Sequence, residues 1–313
     1  MKKVCYTIYG NQEVNFTKTK DKEENMYSIL SAQHQIFQTK HLIIVAISLA
    51  LIVGLFFLSK KLTFQSICKI MLFVGIVSET VKIFTYILIN EDTHGGILPK
   101  SDLPFHLCSI QILFVVVLNF SQNEKLKRFL LSFMYPSCLI GGLAAIFIAT
   151  SSSLNNWVIT FQYILYHIAI IVLALNICTR KEIKLTAKDY VNSLKFVGIL
   201  LFFSIYINSI IYDGGESNIN FMYVASPPVS GLPFLTEEFG WLVYIIHYAC
   251  LILFALTMCY LKPIIKALKA KCGKNQSIEA PIAQAEIPLS TENPPSAEAA
   301  VADGETQSLS HKK

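Results

Sequence analysis

The stretch HLIIVAISLALIVGLFFL, residues 41–58, carries no Asp, Glu, Lys or Arg. At 1.5 Å per residue, a helix of this length just covers the hydrocarbon core of a bilayer, for which about 20 residues are usual. Six more apolar runs follow, at 67–89, 103–120, 129–150, 157–178, 194–211 and 241–261. They are continuous rather than alternating, which selects helices over the strands of a membrane barrel. With 53% hydrophobic and only 15% charged residues in 313, the chain is too apolar for a water-soluble domain. The fold class is therefore all-α, a polytopic membrane protein with seven transmembrane helices, multi-pass in the cell membrane. The first and sixth runs leave little room for tilt.

Residues 1–40 form a polar N-terminal arm, 41–261 the seven-helix domain and 262–313 a tail. The tail is basic at first and then rich in Ala, Pro, Ser and Glu, a composition that predicts disorder. The polar arm, followed by an apolar run without a small-residue cleavage site, predicts no cleaved signal peptide. Asn15-Phe16-Thr17 matches a glycosylation sequon, a weak three-residue signal.

Lysine and arginine near helix ends set orientation. They gather after the first run (Lys60, Lys61), the third (Lys125, Lys127, Arg128), the fifth (Arg180, Lys181, Lys184, Lys188) and the seventh (Lys262 onward). The intervening loops hold only Lys100, so the N-terminus is expected outside and the C-terminus in the cytoplasm. The arm, with six Lys against four acidic residues, is the one dissenting segment. A net charge of +5 then reflects topology and attraction to anionic inner-leaflet lipid, with no case for nucleic acid. The eight cysteines show no CxxC and no zinc spacing, and no nucleotide motif is present, so neither metal nor cofactor is expected.

Ionisable side chains within membrane spans are costly, so each one is a functional site or a polar tie between helices. Topology converts sequence position into depth. His106 and Cys108 lie within about 10 Å of the outer end of helix three, and His247 about 9 Å down helix seven. Glu79 and His167 lie about 15 Å down, Lys82 about 10 Å, and Asn208 is similarly shallow. All fall in the outer half, as one outward-opening polar cavity requires. Glu79 and Lys82 are three apart and can pair. In a regular helix His106 and Cys108 would point to nearly opposite sides, unless the backbone around Pro104 is not helical. Cys108 would share a face with Gln111 and take its base from another helix, first His167, then His247. Gln111, Gln162, Asn119 and Asn176 also read as interhelical ties. The long loop 213–240 combines Gly and Pro with an apolar Phe221-Met222-Tyr223 patch, a composition suited to a lid or a partial re-entrant segment.

The run Leu103-Pro104-Phe105-His106-Leu107-Cys108-Ser109-Ile110, with Asn220-Phe221-Met222-Tyr223, Pro227, Pro228 and Trp241, resembles the YwaF-like family of bacterial integral membrane proteins over roughly residues 69–260. That family is distantly related to an animal membrane cysteine acyltransferase of ether-phospholipid synthesis. The resemblance implies roles for His106 and His167. The position that holds the cysteine in the animal enzymes is Phe105 here, and Cys108 lies three residues further on, one turn along if the segment is helical. The expected function is a lipid acyltransferase, with Cys108 as nucleophile, His167 as base and His106 polarising the ester. Glu79, Lys82, Gln111, Asn208 and His247 are the expected substrate contacts, and membrane lipid the expected partner. The alternative is a non-catalytic transporter or lipid-binding protein using the same histidine-lined cavity. A seven-helix sensor ranks behind both, because the tail has no recognisable effector module.

Overall fold

The computed structural model describes residues 39–89, 98–148, 157–214, 219–228, 235 and 238–279. Each apolar run gives one α-helix: α1 Thr39–Ser59, α2 Phe64–Ile89, α3 Leu107–Phe120, α4 Glu124–Phe147, α5 Trp157–Thr179, α6 Ala187–Ile211 and α7 Trp241–Glu279. Short 3-10 turns at Lys100–Asp102 and Phe221–Tyr223 complete the set, and there is no strand among the described residues. Five helices, α1, α4, α5, α6 and α7, are long and apolar enough to cross a membrane. All but the last two residues of the N-terminal arm, with its sequon and Cys5, and most of the tail lie outside the described residues.

The third helix is shorter than its apolar run. Pro104 pushes the preceding residue out of the helical region, and Leu103 is extended at φ −60°, ψ 150°. His106 is extended too, and the helix begins only at Leu107. The 14-residue α3 therefore reaches about 21 Å, short of a full crossing. The geometry expected of a continuous helix does not apply: His106 and Cys108 are not held on opposite sides, and Phe105 is not one helical turn from Cys108.

The centre of the bundle is α5, which buries residues around its whole circumference, Tyr166 to Ile177 above all, and packs most extensively on α4 and α2. Close approach of α4 needs Gly142, where a Cβ would lie 2.5 Å from Ile171 Cγ1 and 3.4 Å from the His167 carbonyl. Side-chain amides, buried at Asn176 and half-buried at Asn119 and Gln162, tie the helices: Asn119 Nδ2 donates to Cys68 O at 3.0 Å, Asn176 Nδ2 to Ser59 Oγ at 2.8 Å, and Gln162 Nε2 to Ser78 Oγ.

Two prolines inside helices build a further tie. A proline has no N–H, so the carbonyl four residues earlier loses its donor. Pro136 of α4 orphans Ser132 O, and Tyr260 Oη of α7 donates to it at 2.6 Å. Pro263 of α7 orphans Cys259 O, and Tyr135 Oη of α4 donates to it at 3.1 Å. The two rings meet edge to face at 5.6 Å. Each helix thus supplies the hydroxyl that the other's proline requires.

At one end, helix termini are bound by arginines. Arg180 donates to Ser59 O (3.0 Å) and Leu62 O (2.7 Å), holding the α1–α2 turn to the end of α5. Arg128 grips buried Asp189 through two bonds (3.2 and 2.7 Å), joining the starts of α4 and α6. Asp189 also accepts from Thr186 N and Oγ1, forming the capping box that starts α6.

Candidate functional site

At the opposite end, where α2 and α4 finish and α3, α5 and α7 begin, the bundle encloses a cavity of about 540 Å³. Its polar rim holds Glu79, Lys82, Asp102, His106, Cys108 and His167. The irregular segment before α3 is what brings His106 and Cys108 to one wall. Lys82 Nζ pairs with Glu79 Oε2 at 2.8 Å and donates to Asp102 O at 3.1 Å, fixing the 3-10 turn over the rim.

The partners of the two histidines define their tautomers, because a carbonyl only accepts. His167, buried in α5, donates from Nδ1 to Tyr163 O at 2.6 Å. Its Nε2 then carries the lone pair and makes no hydrogen bond to the described residues. His106 donates from Nε2 to Ser101 O at 3.2 Å, so that donor is already engaged. Its ring packs on Phe221 and Tyr223, with centroids at 5.0 and 5.9 Å. Cys108 stands in the first turn of α3, whose N-cap has no side-chain hydrogen bond. The first-turn N–H groups of a helix have no intrahelical acceptor, so Leu107, Cys108 and Ser109 bring free donors and the positive end of the helix dipole to the cavity wall. Tyr166 Oη donates to Cys108 O at 2.8 Å and holds that turn to α5.

The loop between α6 and α7 closes part of the mouth. Asn220, Met222, Tyr223, Ser226, Pro227, Pro228 and Leu235 all face the cavity, and Phe221 and Val224 are buried beneath. Met222 (φ 59°) and Tyr223 (φ 53°) adopt the left-handed conformation, which costs a non-glycine residue about 1–2 kcal/mol. Three side chains on one face of α7 hold them there. Trp241 Nε1 donates to Val224 O (2.9 Å), Tyr244 Oη to Tyr223 O, and Tyr248 Oη to Met222 O (2.7 Å). The Tyr223 hydroxyl lies at the cavity wall and makes no hydrogen bond to the described residues. Burial, with the nearby Cys108 thiol adding to it, pushes that hydroxyl up to about 12, so it remains a donor at neutral pH.

The structure therefore brings five of the expected site residues, Glu79, Lys82, His106, Cys108 and His167, to one cavity, and places three elsewhere. Gln111 is fully buried between α3 and α4, donating to Leu107 O and Ser137 Oγ at 3.2 and 3.1 Å. Asn208 clamps the loop, donating to Phe221 O and accepting from Phe221 N at 3.1 and 2.8 Å. His247 is exposed on α7 and is not part of the cavity wall, because the inward face there belongs to Tyr244 and Tyr248. The helix spacing of Trp241, Tyr244 and Tyr248 was the legible signal for the loop clamp. Sequence reasoning passed over it.

The family model described as the TMEM164 family matches residues 30–260, most of the chain and all of the cavity. The chain belongs to the TMEM164 family. Two segments of this TMEM164-family chain, 103–110 and 220–223, lie far apart in sequence and meet in space: Phe105 and Phe221 stack edge to face at 5.4 Å. No curated protein and no solved structure matches the chain.

Proposed function

We propose that the protein is a lipid acyltransferase, with Cys108 as nucleophile and His167 as its base. The observation that carries this reading is the presence, in the lining of one cavity, of a thiol on an uncapped helix N-terminus and an imidazole whose free Nε2 has the right tautomer to accept a proton. Nε2 takes the thiol proton as Sγ attacks the carbonyl carbon of an acyl ester, and the first-turn N–H groups of α3 are placed to stabilise the oxyanion. Collapse breaks the carbon–oxygen ester bond, the departing alkoxide receives the proton from His167, and an acyl thioester remains on Cys108. A lysolipid hydroxyl or an amine then attacks the thioester carbonyl, giving its proton to His167; the carbon–sulfur bond breaks, and His167 returns the proton to Sγ to restore the thiol.

His106 serves this scheme as a positioning residue, since its Nε2–H is held by Ser101 O. The Tyr223 hydroxyl takes over as the side-chain donor available to the ester. Glu79 and Lys82 would meet the head group. Seven membrane-crossing helices, the cavity toward the outside and the C-terminus in the cytoplasm fit the concentration of Lys60, Arg128, Arg180 and their neighbours at the other end. The YwaF-like relation and residence in the cell membrane belong to the same reading.

Intact mass spectrometry of the protein in lipid, with and without neutral hydroxylamine, tests the chemistry. A hydroxylamine-labile acyl adduct is expected in the wild type and none in Cys108→Ala. An equal adduct in the variant would overturn the covalent route.

A second reading, a non-catalytic lipid carrier or transporter, has one observation in its favour. Two proline-bearing helices, α4 and α7, face each other across the clasp described above. Neither proline shows in the hydrophobic pattern, because Pro263 falls beyond the last apolar run and Pro136 is silent in a hydropathy profile. Under this reading Cys108→Ala retains full transport or binding.

A further inference from the structure

The lining that α6 contributes to the cavity is apolar. Val197 and Leu201 of α6 continue onto Ile252 and Ala255 of α7 and Ile140 of α4 as an apolar stretch of wall, with Phe133 at the far end. Phe133 is a firm stop, buried and stacked on Phe196 at 4.4 Å with a 20° interplanar angle.

The same wall is thin where α6 and α7 face each other. Tyr190 Oη and Thr257 Oγ1 join the two helices at 3.0 Å near the arginine-bound end. Beyond that bond, α6 buries only Ser193 and Ser204, and between Tyr244 and Leu256 α7 buries nothing among the described residues. Leu251 lines the cavity and yet is 48% exposed, so it faces both the interior and the outside of the bundle. A polar gap of this kind would admit water and head groups. An apolar one admits hydrocarbon.

We propose that the gap between α6 and α7 is a lateral portal, through which one acyl chain of a bilayer lipid enters and lies on Val197, Leu201, Ile252 and Ala255 with its end toward Phe133. This rests on the reading of the cavity as a lipid site and adds the route and the seat of the chain. It does not require that Cys108 be a nucleophile.

The full chain in phosphatidylcholine vesicles containing a phosphatidylcholine with a terminal diazirine on one acyl chain provides the test. After illumination, residue-level mapping should find label on Val197, Leu201, Ile252, Ala255 and Phe133, in the wild type and in Cys108→Ala alike. In Ala255→Trp the indole fills the seat. Excluding even about two methylenes weakens occupancy about tenfold, so interior label should fall by at least that factor while label at outward-facing Phe254 stays constant. Label confined to Phe202, Phe203 and Phe254, or interior label unchanged in Ala255→Trp, overturns the portal. If interior label appears but the wild type forms no hydroxylamine-labile adduct, the transferase reading fails and the portal stands. An adduct with exterior label only has the opposite meaning.

Discussion

A carbonyl without a donor is an expensive thing to bury, and two of them decide how α7 attaches. Ser132 O and Cys259 O are orphaned by Pro136 and Pro263 and rescued by Tyr260 and Tyr135. Tyr260→Phe should lower unfolding stability by about 1–3 kcal/mol, the cost of an unsatisfied buried acceptor. In a Pro136→Ala background the helix supplies its own N–H to Ser132 O, so the same Tyr260→Phe change should cost clearly less. A thermal-unfolding double-mutant cycle in detergent measures the difference, and equal costs in the two backgrounds would refute the clasp. Asp189 is a second such residue. Its carboxylate is 1% exposed and rests on Arg128, so Arg128→Ala should cost about 3–5 kcal/mol, whereas loss of an ordinary surface charge costs under 1. The sequence marked Arg128 and Arg180 as topology signals. Their side chains also bind helix ends together, which positive charge counted along a chain does not reveal.

At the scale of elements, the loop from Asn220 to Pro228 takes its shape from α7. Three successive carbonyls, of Met222, Tyr223 and Val224, accept from Tyr248, Tyr244 and Trp241 in turn, and Asn208 closes the set from α6. These bonds hold two residues in a conformation they disfavour. Tyr248→Phe combined with Asn208→Ala should therefore release the segment, raising amide hydrogen exchange over residues 219–228 by at least tenfold while leaving α5 unchanged. Gly142 sets another element, the approach of α4 to α5 beside His167. Gly142→Ala must displace Ile171, and is expected to destabilise the protein by about 1–3 kcal/mol by overpacking, read from the thermal midpoint. Element boundaries were where sequence and structure parted most. The apolar run at 103–120 promised a full helix, but Pro104 delays its start to Leu107, and that delay is what gives Cys108 an open helix N-terminus.

For the molecule as a whole, charge is segregated. Arg128, Arg180, Lys60 and Lys184 cluster where α1, α3 and α5 end, and the cavity lies at the other extreme of the same helices. If the cavity faces outward, a cysteine placed at Lys181 should react with a membrane-impermeant maleimide only after the membrane is permeabilised, above the background of the parent protein. Labelling in intact cells would invert the orientation.

Apolar patterning along the chain is enough for the helical class and the number of helices, because lipid requires every spanning backbone group to be satisfied within its own helix, and that requirement is written as continuous apolar runs. The sequence also indicated that Glu79, Lys82, His106, Cys108 and His167 share a level, since depth follows from a fixed rise per residue. Tertiary structure alone decided which polar residues face one another. Gln111, Asn208 and His247 sat at suitable positions along their helices but were turned to a neighbouring helix, a loop and the outside. Rotation about a helix axis costs nothing in a hydropathy profile and is fixed only by packing. The open end of α3, the hydroxyl-held loop and the proline clasp arise the same way, from backbone groups whose partners lie up to 128 residues away.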